Sequence, residues 1–202
     1  MMKLYFAPGA CSFAPHIALR ESGLEFDLER VDLRTHVTEN GANYYDINPK
    51  GYVPALRLDD GQILTECAAV LQYIADLAPA QKLAPAAGTL ARYRAQEWLH
   101  FIATEIHKSF GPMFNPATTP EAKAQLVERI SNRFGHIARQ LEGKPYLMGE
   151  DFTVADAYLF TMFRWSTMLG PDLAQWASLK AYFDRVSARP AVQAALAAEG
   201  AR

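Results

Sequence analysis

The sequence is poor in cysteine, with only Cys11 and Cys67 among its 202 residues. Two cysteines allow at most one disulfide, and such a chain in a reducing compartment usually keeps both as thiols. Position 14 is an alanine, so Cys11 lacks the partner of a Cys-x-x-Cys redox motif. These features disfavour a disulfide scaffold and a thioredoxin-type dithiol enzyme, and they predict a cytoplasmic protein.

Long hydrophobic runs and an excess of one charge are missing too. No stretch of 18 apolar residues occurs, so we expect no membrane span, and the N-terminal residues lack the pattern of a signal peptide. The 20 basic and 22 acidic residues give a net charge of −2. Nucleic-acid binding normally needs a basic face, so this balance disfavours nucleic acid as a partner.

The common motifs for nucleotides and metal ions are also absent. Neither G-x-G-x-x-G nor a Walker loop occurs, so no nucleotide cofactor is expected. Glu97 and His100 have the spacing of half a di-metal helix motif, but no second copy follows. His100 and His107 share a helix face without an evident third ligand. We therefore predict that the protein has no metal site.

The first 78 residues contain an alternation of short strands and helices. A strand, a helix and a strand come first, an order that favours a right-handed crossover and a parallel pair. Asp59-Asp60-Gly61 then gives a hairpin turn signal. The patterns predict strands at 3–7, 26–33, 55–58 and 62–64 and helices at 12–22 and 66–77.

A change of pattern after residue 78 predicts a second domain. Residues 78–88 combine two prolines and a glycine with small residues, as linkers do. The remaining chain is helical in pattern at 89–110, 120–141, 153–169, 179–188 and 191–198. The predicted fold class is therefore α/β plus all-α, with domains at 1–78 and 88–202.

Cys11 is the strongest candidate for chemistry in the first domain. It follows a strand and a Pro-Gly-Ala turn and opens a helix, where unpaired N–H groups favour a thiolate with a lowered pKa. The alternative is a buried, inert cysteine that packs as a small hydrophobe. Ser12 next to it either donates a hydrogen bond to a thiolate or caps the helix.

Two further positions in this domain suggest ligand contacts. Val53-Pro54 precedes a strand, and its peptide bond is either cis, as in tight turns, or an ordinary trans bond. Thr65-Glu66-Cys67 opens a helix whose N–H groups could bind a carboxylate. Glu66 could accept a hydrogen bond from a ligand ammonium, or it simply stabilises the helix dipole.

The helical half contains one clear folding signal and one ambiguous set of aromatic residues. Thr153 and Asp156 form the [ST]-x-x-[DE] pattern of a capping box before an apolar run, which is a structural element and not a catalytic one. Four aromatic residues either line an apolar pocket or belong to the core: Phe110, Phe114, Tyr158 and Trp165.

Together these features resemble the glutathione transferase family, specifically its bacterial beta class. Any single matching stretch is modest, but their joint order along the whole chain is specific. The matching stretches are residues 3–5, Pro-Gly-Ala-Cys-Ser at 8–12, 15–21, Asn-Pro-Lys-Gly-Tyr-Val-Pro at 48–54, Leu-Thr-Glu at 64–66 and Phe-Thr-Val-Ala-Asp-Ala-Tyr at 152–158.

The resemblance implies a thioredoxin-like N-terminal domain followed by an all-helical domain. It implies an enzyme that joins glutathione, a co-substrate and not a cofactor, to small hydrophobic electrophiles. Cys11, Ser12 and His107 would be catalytic. Glutathione would contact Ala10, Cys11, His36, Tyr52, Val53, Pro54, Glu66, Cys67, His100, Glu105, His107 and Lys108, and the electrophile would contact Phe110, Phe114, Tyr158 and Trp165.

Within that resemblance, Val53 before a cis Pro54 would pair with the cysteinyl part of glutathione. Glu66 and the N–H of Cys67 would hold its γ-glutamyl end. Glu105 would reach glutathione on a neighbouring subunit, which implies a homodimer. The chain departs from the family where His36 replaces a frequent Lys, His100 a possible Asn and Cys67 a frequent Ser.

Two other activities stay open at this stage. Cys11 could form a mixed disulfide with glutathione and so transfer thiols, an activity that Cys11→Ala would abolish. A chain of this family could also serve as a binding or regulatory module without turnover. The retained Cys11, Ser12 and Glu66 favour an enzyme over such a module.

Overall fold

The computed structural model describes residues 1–200, which divide into two compact units. The first unit contains Met1–Ala84 and the chain from Arg189 onward, and the second contains Pro85–Ala188. The sequence predicted domains at 1–78 and 88–202, so the linker position agrees approximately. The structure differs at the C-terminal end, because the last helix packs with the first unit.

The first unit is built on a five-stranded mixed sheet. Strand β1 pairs with β2 in parallel and with β4 in antiparallel register, and the strand order is β3-β2-β1-β4-β5. The parallel β1–β2 pair confirms the predicted crossover. The strands are β1 (Met2–Phe6), β2 (Phe26–Asp32), β3 (Val37–Thr38), β4 (Ala55–Arg57) and β5 (Ile63–Thr65).

Two helices pack with this sheet, and a third packs with the first of them. Helix α1 (Phe13–Ser22) contacts both α2 (Cys67–Leu77) and the final helix, α8 (Pro190–Glu199). Gly23 ends α1 with φ of 70°, the left-handed conformation in which glycine has no steric cost. Leu4, Ile17 and Leu56 are fully buried. This burial of β1, α1 and β4 fixes the turn that carries Cys11.

A buried hydrogen bond attaches α8 to α1. Nδ1 of His16 lies 2.9 Å from Oε1 of Glu199, and neither side chain is exposed. Nε of Arg20 donates to Nε2 of His16, so His16 donates through Nδ1. The second oxygen of Glu199 accepts from the N–H of Gly9, in the turn before Cys11. Helical periodicity alone does not reveal this long-range contact.

The second unit is helical. Its helices are α3 (Leu90–Phe101), α4 (Lys108–Phe110), α5 (Pro120–Gln140), α6 (Val154–Leu169) and α7 (Ala177–Ser187). A π-helical segment, Ile102–His107, joins α3 to α4. The sequence predicted one continuous helix over 89–110. Because π-helical turns have no distinct hydrophobic period at this length, the pattern could not locate the segment.

The predicted capping box at the start of α6 is present. Oδ2 of Asp156 accepts from the backbone N–H and the hydroxyl of Thr153. Its Oδ1 accepts from the N–H of Leu147 and from the hydroxyl of Tyr182. Asp156 is fully buried. Asp156 therefore caps the start of α6 and also connects that helix to a loop and to α7.

Within residues 1–200, none of the helices is both long enough and apolar enough to cross a membrane.

Candidate active site

The Cys11 thiol lies at the mouth of a tight turn between β1 and α1. The N–H of Ala10 donates to the carbonyl of Ala7 at 3.0 Å, which closes the turn. Cys11 precedes α1 by two residues and is partly exposed. Its Sγ donates to the carbonyl oxygen of Val53 at 3.2 Å, 42 residues along the chain. The thiol is therefore brought to the backbone that precedes Pro54.

The environment of Cys11 shifts the pKa of its thiol in the direction opposite to the one predicted from the sequence. Burial raises the pKa of the thiol from 9.0 to about 12, and the negative charge of Glu66 also raises it. The backbone N–H groups of Cys11 and Ser12 act in the opposite sense, but more weakly than desolvation. The prediction of a lowered pKa at the helix start is therefore wrong, because desolvation outweighs the helix N–H groups. Cys11 is a neutral S–H donor in this structure.

Ser12 has neither of the roles considered from the sequence. Its hydroxyl accepts from the N–H of Ala7 at 3.2 Å and donates to the carbonyl of the same residue at 3.3 Å. Ser12 is fully buried, and its side chain makes no capping bond to α1. The hydroxyl thus secures the turn, while the backbone N–H of Ser12 faces the Cys11 sulfur.

The loop before β4 presents backbone groups beside Cys11. The Val53–Pro54 peptide bond is cis, which is one of the two alternatives considered from the sequence. The carbonyl of Tyr52 accepts from the hydroxyl of Tyr44 at 2.8 Å and from Nδ2 of Asn48 at 2.7 Å. The ring of Tyr52 is 70% exposed. Two buried side chains therefore hold this loop in place next to the thiol.

The start of α2 brings a carboxylate and the second thiol to the same unit. Glu66 has φ of 72°, a conformation that non-glycine residues rarely adopt, and its side chain is 71% exposed. Its Oε1 accepts from Nζ of Lys50 at 2.7 Å. Sγ of Cys67 donates to the carbonyl of Cys11 at 3.6 Å, and Cys67 is buried. Contacts within the first unit thus bring four of the predicted residues together: Cys11, Val53, Glu66 and Cys67.

His36 lies on the segment between β2 and β3. Its φ of 54° is in the left-handed region, and its ring lies 4.4 Å from the ring of Tyr45. Among residues 1–200, the Nδ1 of His36 is the only buried side-chain nitrogen or oxygen without a hydrogen-bond partner. A polar atom in this condition is normally satisfied by a ligand or water.

In the second unit, the π-helical segment carries two of the predicted residues and Lys108 follows it. Glu105 accepts from Nε of Arg133 at 2.9 Å and also lies 3.8 Å from Arg129. Nδ1 of His107 lies 2.6 Å from the hydroxyl of Tyr158. Lys108 is exposed. Glu105 and His107 are therefore both engaged within their own unit, on a type of helix that often occurs at functional sites.

His100 is exposed on α3, two residues before the π-helical segment begins. Its Nδ1 lies 2.7 Å from the backbone carbonyl of Gln96. Nδ1 therefore donates its hydrogen to this carbonyl. Its predicted contact with glutathione stays a prediction.

The four aromatic residues predicted for the electrophile form one cluster around Trp165. The ring of Trp165 lies 5.0 Å from His107, 5.8 Å from Phe110 and 4.9 Å from Phe114, each close to edge-on. Phe110 and Tyr158 are almost completely buried, whereas Phe114 is 48% exposed. Of the four, only Phe114 therefore exposes a substantial apolar surface, while the other three side chains are buried.

Sequence reasoning missed Lys50, Tyr44 and Asn48 as parts of this site. All three lie within or just before the quoted stretch 48–54, but their side chains contact residues that the pattern could not pair with them. The one visible signal was Lys50 itself, a lysine three residues before the backbone site at Val53-Pro54.

Comparisons with known proteins agree with this geometry. The family described as glutathione S-transferase, N-terminal domain, matches residues 9–77, and that described as glutathione S-transferase, C-terminal domain, matches residues 101–190. Glutathione S-transferase GstA of Escherichia coli O157:H7 is 45% identical, with 98% of this chain and 99% of that protein covered.

Two solved structures share the whole fold. A sphingomonad glutathione S-transferase complexed with glutathione is 49% identical with a TM-score of 0.95, and the bacterial beta class enzyme of Sphingomonas chungbukensis is 47% identical with a TM-score of 0.94. Each comparison covers 98% of both chains. With matches in both units and close relatives over nearly the full length, this chain belongs to the glutathione transferase family and shares the fold of its bacterial beta class.

Proposed function

We propose that this protein conjugates glutathione to small hydrophobic electrophiles, and that it does so in the cytoplasm as a homodimer. The observation that carries the proposal is the Cys11 thiol held against the Val53 carbonyl, because this places an S–H donor beside backbone that can pair with a peptide. A relative of 49% identity was solved in complex with glutathione, which supports the choice of ligand.

The tripeptide has groups that match those of the first unit. We place its cysteinyl backbone against Val53, so that its sulfur lies beside Sγ of Cys11. Its γ-glutamyl ammonium would meet the exposed carboxylate of Glu66, and the adjacent carboxylate would meet the N–H groups that open α2. Its glycine carboxylate would meet His36, whose Nδ1 has no partner in the protein.

The raised pKa of Cys11 supports a role for its S–H as a hydrogen-bond donor in conjugation. A thiol with a pKa of about 12 stays protonated at neutral pH and can donate its hydrogen to a glutathione thiolate. The N–H groups of Cys11 and Ser12 add two further donors at the same place. The glutathione sulfur then attacks the electrophilic carbon, a carbon–sulfur bond forms, and the leaving group departs with its electron pair. Cys11 is unchanged at the end of the cycle.

The roles predicted for the second unit stay predictions. His107 is oriented by Tyr158, and Phe114 exposes an apolar surface for an electrophile. Oε2 of Glu105 accepts from Arg133, and its predicted contact with glutathione on another subunit stays a prediction.

The test is turnover of 1-chloro-2,4-dinitrobenzene together with a direct measurement of glutathione binding. The proposal predicts a glutathione-dependent rise in absorbance of the conjugate and a saturable binding curve. If circular dichroism shows that the protein is folded but neither the product nor glutathione binding is detected, the assignment as a glutathione transferase is wrong.

Thiol transfer is a second candidate, and the partly exposed Cys11 thiol is the observation that favours it. Cys11 would attack the glutathione sulfur of a disulfide between glutathione and a small thiol, forming a mixed disulfide with glutathione and releasing the small thiol as its thiolate. A second glutathione thiolate would then restore Cys11 and leave glutathione disulfide. Because attack needs the thiolate, a pKa of about 12 makes this activity slow at neutral pH. Cys11→Ala should abolish thiol transfer while conjugation retains part of its rate.

A further inference from the structure

The carboxylate of Glu66, to which we assign the γ-glutamyl end of glutathione, already accepts a hydrogen bond from a lysine side chain. Nζ of Lys50 donates to Oε1 of Glu66 at 2.7 Å and to the hydroxyl of Thr65 at 3.1 Å. Lys50 belongs to the loop that Tyr44 and Asn48 hold in place beside Cys11. The ion pair is therefore part of the candidate site and not a remote surface contact.

The chemistry of this contact is the chemistry expected of the ligand. A lysine Nζ and the γ-glutamyl α-amino group are both primary ammonium groups with three donors. Glu66 is held with φ of 72° at the start of α2, and its carboxylate points to solvent. One exposed carboxylate thus faces two ammonium groups that compete for it.

We propose that Lys50 is an internal competitor for the ligand ammonium at Glu66, and that it sets how strongly the site selects ligands carrying a γ-glutamyl amino group. This inference rests on the proposed function, because it needs glutathione to place its ammonium on Glu66. Lys50 acts here as a specificity-determining residue and takes no part in the bond-making step.

The solvent exposure of the Lys50–Glu66 pair limits how much it can change ligand affinity. The Lys50 and Glu66 side chains are 50% and 71% exposed, and ion pairs in such positions change an equilibrium by at most about five-fold. A ligand without the amino group leaves the pair intact, whereas the ammonium of glutathione either displaces Lys50 from Glu66 or shares the carboxylate with this second positive charge. Removing Lys50 should therefore increase the advantage of ligands that carry the amino group.

The experiment compares two ligands that differ only in that group. Dissociation constants are measured by titration calorimetry for glutathione and for glutaryl-cysteinyl-glycine, which retains both carboxylates and the thiol. The ratio of the second constant to the first should rise by about two- to five-fold in Lys50→Met and in Lys50→Gln relative to the unchanged protein. The ratio cancels the effect of the lost positive charge on the two carboxylates, because both ligands carry them.

Lys144→Met is the matched control, because Lys144 is an exposed lysine of the second unit. Its ratio should equal that of the unchanged protein. A ratio that stays the same or falls in both Lys50 variants would overturn the role of Lys50.

Glu66→Gln separates this inference from the proposed function. It should reduce the ratio to about one, because the amide no longer favours an ammonium. If Glu66→Gln leaves the ratio unchanged, the placement of glutathione on Glu66 is wrong. If the ratio responds to Glu66→Gln but not to the Lys50 variants, the placement stands and the competition by Lys50 is rejected.

Discussion

At the scale of single residues, the decisive balance is between desolvation and hydrogen bonding at Cys11. The helix start offers N–H groups that favour a thiolate, yet burial and the charge of Glu66 raise the pKa to about 12. A sequence pattern shows which residue opens a helix, but it does not show how much water reaches the sulfur. The direction of the shift therefore had to come from the structure.

The reactivity of Cys11 should follow this high pKa. In a Cys67→Ser background, alkylation of the remaining thiol by iodoacetamide should be slow at pH 7 and rise about tenfold per pH unit up to about pH 10, because only the thiolate reacts. The rate is measured by mass spectrometry of the alkylated peptide, with glutathione in free solution as the reference. A rate that reaches a plateau near neutral pH would contradict the assignment of Cys11 as a protonated donor.

At the scale of helices and strands, buried polar contacts hold the site in shape. Asp156 connects α6 to α7 and to a loop, and Glu199 connects α8 to α1 and to the turn before Cys11. Periodicity predicted nearly every helix, whereas these contacts join residues far apart in sequence. Strand β3, only two residues long, was also missed, because two residues cannot show an alternating pattern.

Loss of the Glu199 carboxylate should destabilise the first unit and disturb the Cys11 turn. Glu199→Ala removes the acceptor of Nδ1 of His16 and one acceptor of the Gly9 N–H, and a buried donor left unsatisfied costs about 1–3 kcal/mol. Urea unfolding measures the loss, and Glu142→Ala, at an exposed acid, is the control. A loss below about 1 kcal/mol would show that the pair does not stabilise the fold.

The pH dependence of stability should report the burial of Asp156. Burial raises the pKa of its carboxyl from 3.8 to about 6. A raised pKa in the folded state means that the stabilisation is complete below pH 3.8 and is lost as pH rises through about 6. At about 1.4 kcal/mol per pKa unit, the ionisation costs about 3 kcal/mol across this window.

The variant Asp156→Asn should be less stable overall, since one amide oxygen cannot replace two carboxylate oxygens that accept four hydrogen bonds. It should also lack the fall in stability between about pH 4 and pH 6. Thermal melts from pH 4 to pH 7 measure both effects, with the exposed Asp151→Asn as a control. Equal pH slopes in Asp156→Asn and the unchanged protein would show that Asp156 does not carry this dependence.

At the scale of the whole molecule, the sequence predicted the two fold classes and the place of the first boundary. It also predicted that Cys11, Val53 and Glu66 lie in one domain, because each follows or opens a predicted element. It did not predict that α8 returns to the first unit or that Lys50 contacts Glu66. Both depend on side chains that meet only after the sheet and helices have packed.

The proposed homodimer gives a prediction at this scale. Sedimentation equilibrium should give a mass twice the 22.5 kDa of one chain. Glu105→Gln removes the charge that pairs with Arg133, and it should lower affinity for glutathione without changing the mass if Glu105 contacts a ligand of the neighbouring subunit. A mass of one chain at micromolar concentration would reject the homodimer.

The most direct test of the account is the pH at which bound glutathione ionises, read from the ultraviolet absorbance of its thiolate. In a Cys67→Ser background the bound thiol should ionise well below the free one. Removing the Cys11 donor by Cys11→Ala should raise that pH by about one unit, the value of one hydrogen bond to a charged acceptor. The same titration midpoint with and without Cys11, or no thiolate in the complex at neutral pH, would contradict the claim that the Cys11 S–H stabilises the glutathione sulfur.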